Sequence, residues 1–503
     1  MPLDSALSAI TRVDPAYPQL PPYHPGELYP EYPFRHRPEC LSSEPNAAYL
    51  GVREAFRLLG FDAPHFGTAD WNPLGHLIKP GMTVLLKPNY VRDFHEITGQ
   101  WCPSLITHGS IIRAVADYAI IALHRQGRLI IADSSHGDAH FEDILRLTGI
   151  PALQELLHQH TNVQLEVYDL RQTFVHKVDG VLVDYVNLPG DPLGYSTVDL
   201  GRDSALEPVA HKFQKFYGAG YDRLEIQQHH KPGVHEYPLC RTILDADVIL
   251  NVPKMKTHKK CGVTLSLKNL IGINGNKNWL PHHTEGVPAE GGDQFDRSDS
   301  KNRIERRVVE AFKAIFPKLG PLRHLIAAPA KGLGKKVFGD TNRDKVRSGN
   351  WWGNDTVWRT CVDLMRILIY CDKKGVMQDT PQRAYLSLID GLIGGEGNGP
   401  LAPDDRPTGL IVASENPVFA DAVATRLMGF DHRHIPIIAR AFEPMRWPLA
   451  FQTWEAGTCV SNQPNLAGPA SQLPTDQFPY QPHFGWEGHI RPGDPVEPSP
   501  VTA

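Results

Sequence analysis

The chain has 503 residues, 41% hydrophobic and 21% charged, with a formal net charge of −5. That length suggests two or three domains whose core can form without disulfides or a structural metal, and the near-neutral balance implies no global attraction to nucleic acid. No run reaches the ~18 apolar residues of a membrane span, and the seven cysteines, none spaced as C-x-x-C, argue against a zinc ribbon or a cysteine-ligated iron–sulfur cluster.

Residues 1–45 are dense in proline and tyrosine ("PAYPQLPPYHPGELYPEYPFRHRP"). Prolines at this density exclude helix and sheet interior, so the segment reads as an extended arm. It either wraps over the domain or reaches a second copy of the chain, giving a homo-oligomer. From 46 to 285 apolar runs alternate with helical spacing. "AAYLGVREAFRLLG" and "GSIIRAVADYAIIALHRQG" are helices. "MTVLLKPNYV", "RLIIADSSHGD" and "VQLEVYDL" are strands, "TFVHKVDGVLVDYVNL" is an antiparallel hairpin, and "DADVILNVPKMKTH" opens on a short buried strand. Strands separated by helices imply right-handed crossovers and a mostly parallel sheet.

Residues 286–350 read as a basic helical insertion. Between 301 and 350 there are 13 Lys/Arg against 4 Asp/Glu, and "IERRVVEAFKAIFPKLGPLRHLI" carries an apolar stripe at helical spacing. The stripe suits a docked helix with a solvated basic face, a lid, or peripheral contact with a membrane. Residues 351–440 form a second α/β lobe. There "AYLSLIDGLIGGEGNGP" is a strand running into a glycine-rich loop, and "TGLIVASENPVFADAVATRLMG" is strand, turn and helix. The tail 441–503 is irregular and expected on the surface. The fold class is therefore α/β: two lobes with mostly parallel, Rossmann-like sheets, the lobe 46–285 carrying the site.

In open α/β sheets ligands sit beyond the carboxyl ends of the strands. Four polar clusters fall there: Lys87-Pro88-Asn89, Asp133 through His136, Asn251 through His258, and Asp390 through Pro400. Lys87, Lys254, Lys256 and Lys268 bring positive charge, and an anion would offset the cost of burying it. The glycines of "EGNGP" would let a ligand approach the backbone. No G-x-x-x-x-G-K-[ST] and no strand-following G-x-G-x-x-G is present, which sets aside nucleotide-hydrolysing loops and ordinary dinucleotide enzymes. His136, His258, His282 and His283 bracket the lysines and could move a proton or hold a divalent transition metal. Of the adjacent pair His282–His283, one is expected to face the site. Cys261, among lysines, is a lesser candidate nucleophile.

These blocks, "LLKPNYV", "IADSSHG", "ILDADVILNVPKMKTHKKCGVTLSLKNLIG", "IDGLIGGEGNGP" and "ASENPVFADAVATRLMG", resemble domain-of-unknown-function family 362, in order, over about 80–430. More distantly, their order is similar to that of nickel-dependent lactate racemases. The resemblance implies a phosphate-gripping segment at Lys87–Asn89, a proton-shuttling His136, a second histidine at His258, an anchoring Lys268 and a nickel-binding His282 or His283. The glycine-rich approach to that lysine is replaced here by Thr264-Leu265-Ser266-Leu267.

The sequence thus leads us to expect a cytoplasmic enzyme, isomerase- or racemase-like, acting on a small phosphate- or carboxylate-bearing metabolite or nucleotide-like cofactor in an interlobe cleft. His136, His258 and Lys268 would be catalytic. Lys87, Asn89, Asp133, Asn251, Lys254, Lys256, Asn269, Glu396 and Asn398 would bind the anion, and His258, His282 and His283 would hold any metal. The rival expectations are a non-catalytic metal- or anion-binding or assembly protein, and a membrane-peripheral protein acting on lipid-linked or polymeric anions. No nucleic-acid partner and no iron–sulfur cluster are expected.

Overall fold

A computed structural model of the chain describes residues 2–124, 126–178, 181–218, 223–298, 302, 304–305, 308 and 340–496. Most of the basic stretch 301–350 lies outside the described residues.

Eleven strands form one central sheet: β1 (Leu7–Arg12), β2 (Thr83–Pro88), β3 (Gln126–Asp133), β4 (Asn162–Asp169), β5 (Val248–Val252), β6 (Lys254–His258), β7 (Gly262–Thr264), β8 (Ala384–Asn398), β9 (Ala402–Ser414), β10 (Thr458–Ser461) and β11 (Gly468–Pro469). The order is β11-β10-β1-β9-β8-β5-β2-β3-β4, with β6 against β8 and β7 against β6. The neighbours β8, β5, β2, β3 and β4 are all parallel. β2 and β5 are buried along their whole length, as strands covered on both faces must be.

Alternate residues divide the core. Val84 and Leu86 of β2, with Val248 and Leu250 of β5, pack under the helices Ala47–Leu58, Gly109–Ala122 and Ile150–His160. Leu85 and Ile249 face the helices Val357–Tyr370 and Pro417–Leu427. Side chains cap two helix starts: Asn46 accepts from the Tyr49 amide and Asn416 from the Val418 amide.

The α/β fold and its large, mostly parallel sheet are as expected from the sequence. The two segments do not carry separate sheets, however, because β5 and β8 pair directly, Leu250 opposite Leu386. The N-terminal arm lies on its own chain. It contributes β1, and it buries Tyr17, Tyr23, Tyr29, Tyr32 and Phe34. The tail, expected on the surface, also enters the core. It supplies β10 and buries Tyr480, Trp486 and Ile490. In both cases prolines stop regular structure, but the aromatic side chains between them still gain by leaving water.

The glycine-rich loop after β8 is likewise strand. Ala384–Asn398 pairs with β9 as far as Asn398 opposite Ala402. Its glycines make room for neighbours: a Cβ on Gly394 would meet the Tyr480 hydroxyl at 2.0 Å, and one on Gly395 would lie 2.9 Å from Lys256 Cβ. The hairpin forms where the pattern put it, Thr173–Val178 against Val181–Asn187.

Candidate functional site

The ends of the parallel strands neutralise themselves. Lys87 closes β2, and its Nζ pairs with Asp133 Oδ1 at the end of β3, 2.8 Å away. Lys254 on β6 pairs with Asp390 Oδ2 at 3.1 Å and donates to the Tyr17 hydroxyl at 2.8 Å. All four charged side chains are buried. Burial pushes the pKa of Lys87 and Lys254 down, and the partner carboxylates oppose it. Lys256 is also buried but donates only to carbonyls, those of Leu105 and Pro400. Burial, then the neighbouring Lys254, lowers its pKa strongly. Glu396 accepts from the Gln481 amide at 2.9 Å, and Glu396 and Asn398 follow β8 along β9.

Beside these strand ends lies a cavity of about 410 Å³. Of the sequence-derived residues it brings together Asn89, Asp133, His136, His258, Lys268, Asn269, His282 and His283. Lys87, Asn251, Lys254, Lys256, Glu396 and Asn398 do not line it. Its wall adds Lys260 and Lys277 from the same stretch as Lys268, with Arg171 and Lys177 from the β4 side.

Arg171 is held by Asp169 at 2.6 Å and Lys177 by Asp138 at 3.2 Å. Lys277 donates to the carbonyls of Ile271 and Asn274. The ammonium groups of Lys260 and Lys268 have no hydrogen-bond or ion-pair partner among the described residues. Burial and the adjacent Lys259 lower the Lys260 pKa to about 7. Burial does the same for Lys277, to about 7, against the pull of Asp133. Lys260 and Lys268 therefore stand on the cavity wall without a directly paired carboxylate among the described residues.

Three imidazoles face this wall in fixed tautomers. His258 Nδ1 accepts from the amides of Lys260 (3.0 Å) and Cys261 (3.2 Å), so the neutral ring carries its proton on Nε2 and donates. His282 Nδ1 donates to the Leu280 carbonyl at 2.7 Å, which leaves Nε2 an acceptor. His136 Nδ1 bonds the Asp138 carboxylate, itself paired with Arg92 and Lys177, and its Nε2 is likewise an acceptor. Burial, then Lys177, lowers the His136 pKa to about 4. Burial, then Lys268 for His258 and Lys260 for His282, drives both well down. His283 is buried and stacks on Tyr217, ring centroids 5.0 Å apart.

Asn89 and Asn269, which line the cavity, begin an oriented row of amides that runs behind it to Asn251. Asn89 Nδ2 donates to Asn269 Oδ1 at 3.0 Å, and Asn269 Nδ2 to Asn251 Oδ1 at 2.8 Å. Asn251 Nδ2 donates to the Tyr385 hydroxyl and the Ser266 carbonyl. Asp421 receives the Ser266 and Leu267 amides at 2.7 and 2.9 Å, fixing the short helix Ser266–Asn269 that carries Lys268. Gly272 permits a close approach: a Cβ there would lie 1.9 Å from Asp133 Oδ1 and 2.6 Å from Lys87 Nζ.

The expected metal ligands do not converge. Among the described residues, one trio of potential ligands lies within 4.8 Å, and it is Asp93, His140 and Asp143, away from the cavity. The proton on His258 Nε2 also opposes metal binding, since a ligating nitrogen must offer a lone pair. The three histidines therefore do not fit a metal centre, and the stretch Thr264–Leu267 gives Lys268 no glycine-rich approach for a covalently held cofactor. Cys261 is buried and hydrogen-bonded to Cys361 rather than open to the cavity. The stretch 245–283 held the signal for Lys260 and Lys277 already. Asp138, Arg171 and Lys177 carried none, because they reach the site through the hairpin and the β3 loop.

Residues 196–426 match the family model for a domain of unknown function, DUF362. A thylakoid-associated protein of Synechocystis sp. is 25% identical over 201 residues, covering 40% of this chain and 38% of that protein. A crystal structure of a Thermotoga maritima protein aligns over 74% of this chain and 56% of its own at 11% identity, with a TM-score of 0.29, too low to support any argument. Among the described residues no helix is long and apolar enough to cross a membrane.

Proposed function

We propose that the cavity binds a small phosphate- or carboxylate-bearing metabolite and transfers a proton on it, in an isomerase- or racemase-like reaction. The observation that carries this reading is the pair Lys260 and Lys268, two cavity-wall ammonium groups without a counter-ion among the described residues. Such charges are costly in a partly dry site, and a bound anion is the natural compensation. The anion would anchor on Lys268 and Lys260. The Nε2–H of His258 would donate to the oxygen where negative charge develops. His136 and His282, each with an unprotonated Nε2, would take and return the proton. The charge of the bound anion would also raise their pKa toward the working range.

The resemblance to racemases enters this proposal only as proton transfer. The test is binding of inorganic phosphate and of small carboxylates by calorimetry, together with deuterium uptake from solvent into bound ligands. Saturable binding lost in Lys268→Ala, with exchange lost in His136→Gln, supports the reading. Absence of any anion binding by the intact chain overturns it. Tight binding without exchange would leave an anion-binding protein instead of an enzyme.

A further inference from the structure

The cationic wall accounts for one end of a ligand, and a second set of groups remains. Asn89, Ser134 and Ser135 line the same cavity and are 8%, 3% and 2% exposed. Asn89 Oδ1, Ser134 Oγ and Ser135 Oγ nevertheless have no hydrogen-bond partner. Buried polar atoms are almost always paired, so three unpaired on one wall need an explanation.

For Asn89 the chemistry of the missing partner can be specified. Its Nδ2 is committed to Asn269 Oδ1, and the next two amides fix the direction of the row. Rotating Asn89 would set its carbonyl against that of Asn269. Asn89 therefore keeps Oδ1 as an unpaired acceptor beside the cavity, and the partner it lacks is a donor. A carboxylate, or the dianion of a phosphate monoester, offers none. The serine hydroxyls can donate or accept. The backbone places the two serines securely: the Ser134 amide donates to the Gly272 carbonyl at 2.9 Å, and the next amide but one, that of His136, to the Val91 carbonyl at 2.9 Å. The volume, about 410 Å³, also exceeds what a bare anion or a three-carbon acid would fill.

We infer that the ligand is a phosphate monoester carrying neighbouring hydroxyl groups, its phosphate on Lys260 and Lys268 and its hydroxyls on Asn89, Ser134 and Ser135. This deepens the anion-binding reading and rests on it. A sugar phosphate and the ribose phosphate of a nucleotide share that chemistry.

The test compares ribose 5-phosphate, adenosine monophosphate and ethyl phosphate, which has the ester and no hydroxyl, by calorimetry on the full chain. It uses the wild type and Ser134→Ala/Ser135→Ala. That variant removes hydroxyls that bond nothing in the protein, so it is expected to fold and melt as the wild type does. The expected result is that a hydroxylated ester binds about tenfold or more tightly than ethyl phosphate, and that the double variant loses this preference while still binding ethyl phosphate. Preference for adenosine monophosphate over ribose 5-phosphate would identify a nucleotide, and the reverse a sugar phosphate. Equal binding of all three esters, or a preference that survives in the double variant, overturns the inference and leaves the anion site standing. If no ester and no inorganic phosphate binds, both fall.

Discussion

Two sets of lysines sit within one stretch of fold and behave as opposites. Lys87 and Lys254 are sealed at strand ends, each against a carboxylate on a neighbouring strand. Lys260 and Lys268 stand on the cavity wall with no such partner among the described residues. The same residue type is thus structural in one place and available in the other. What separates them is whether a neighbouring strand ends in an aspartate. β3 ends in Asp133 beside Lys87, and β8 passes Asp390 beside Lys254.

The largest expected effect breaks the sealed set. Lys254→Met would strand the Asp390 carboxylate in the core and should lower stability by about 3–5 kcal/mol. Lys260→Met should leave stability unchanged or raised at neutral pH. Urea denaturation of both variants checks this. If the two cost the same, the distinction is false.

The next effect sharpens the open set. Lys268→Ala should weaken phosphate binding by about ten- to a hundredfold, the worth of one charged hydrogen bond, at an unchanged melting temperature. Calorimetry and a melt on the same preparation read both. Gly272→Ala should follow, destabilising by about 1–3 kcal/mol because its methyl would intrude on the Lys87–Asp133 pair.

The smallest is a pH slope. Lys260 and Lys277 titrate near 7 in the folded chain, against roughly 10.4 in an unfolded one. Between those values the unfolded chain binds more protons, so these two groups make stability rise with pH from about 7 to 10. Comparing melts of the wild type with Lys260→Met/Lys277→Met across that range should show the slope reduced in the variant. Phosphate affinity should run the other way, strongest below about pH 7 and falling above it as the amines lose their charge.

Much of the fold was legible because its signals are local. Periodicity placed the helices Ala47–Leu58, Gly109–Ala122 and Pro417–Leu427, and apolar runs placed β2, β3 and β5. Of the strand-end residues, Asn89, Asp133, His136 and His258 line the cavity. Local signals failed where a residue's state depends on a distant partner. Gly394 and Gly395 looked like a ligand loop because nothing nearby announces Tyr480 or Lys256. The proline-rich tail looked exposed because the residues that bury Tyr480 and Trp486 lie far along the chain.

The sequence by itself determined the α/β class, the parallel sheet and the clustering of cations after β5, since each follows from composition and spacing along the chain. Only the tertiary structure decided which of those cations are spent and which are open. It joined both segments into one sheet and fixed the tautomers of His258 and His282 through backbone groups. It also committed Asn89 Nδ2 to Asn269 and left Asn89 Oδ1 an unpaired acceptor. The physical reason is the same throughout: charge balance and hydrogen-bond direction are set by pairs of groups, and here partners are separated by 180 residues for Asn89 and Asn269 and by 237 for Lys254 and Tyr17.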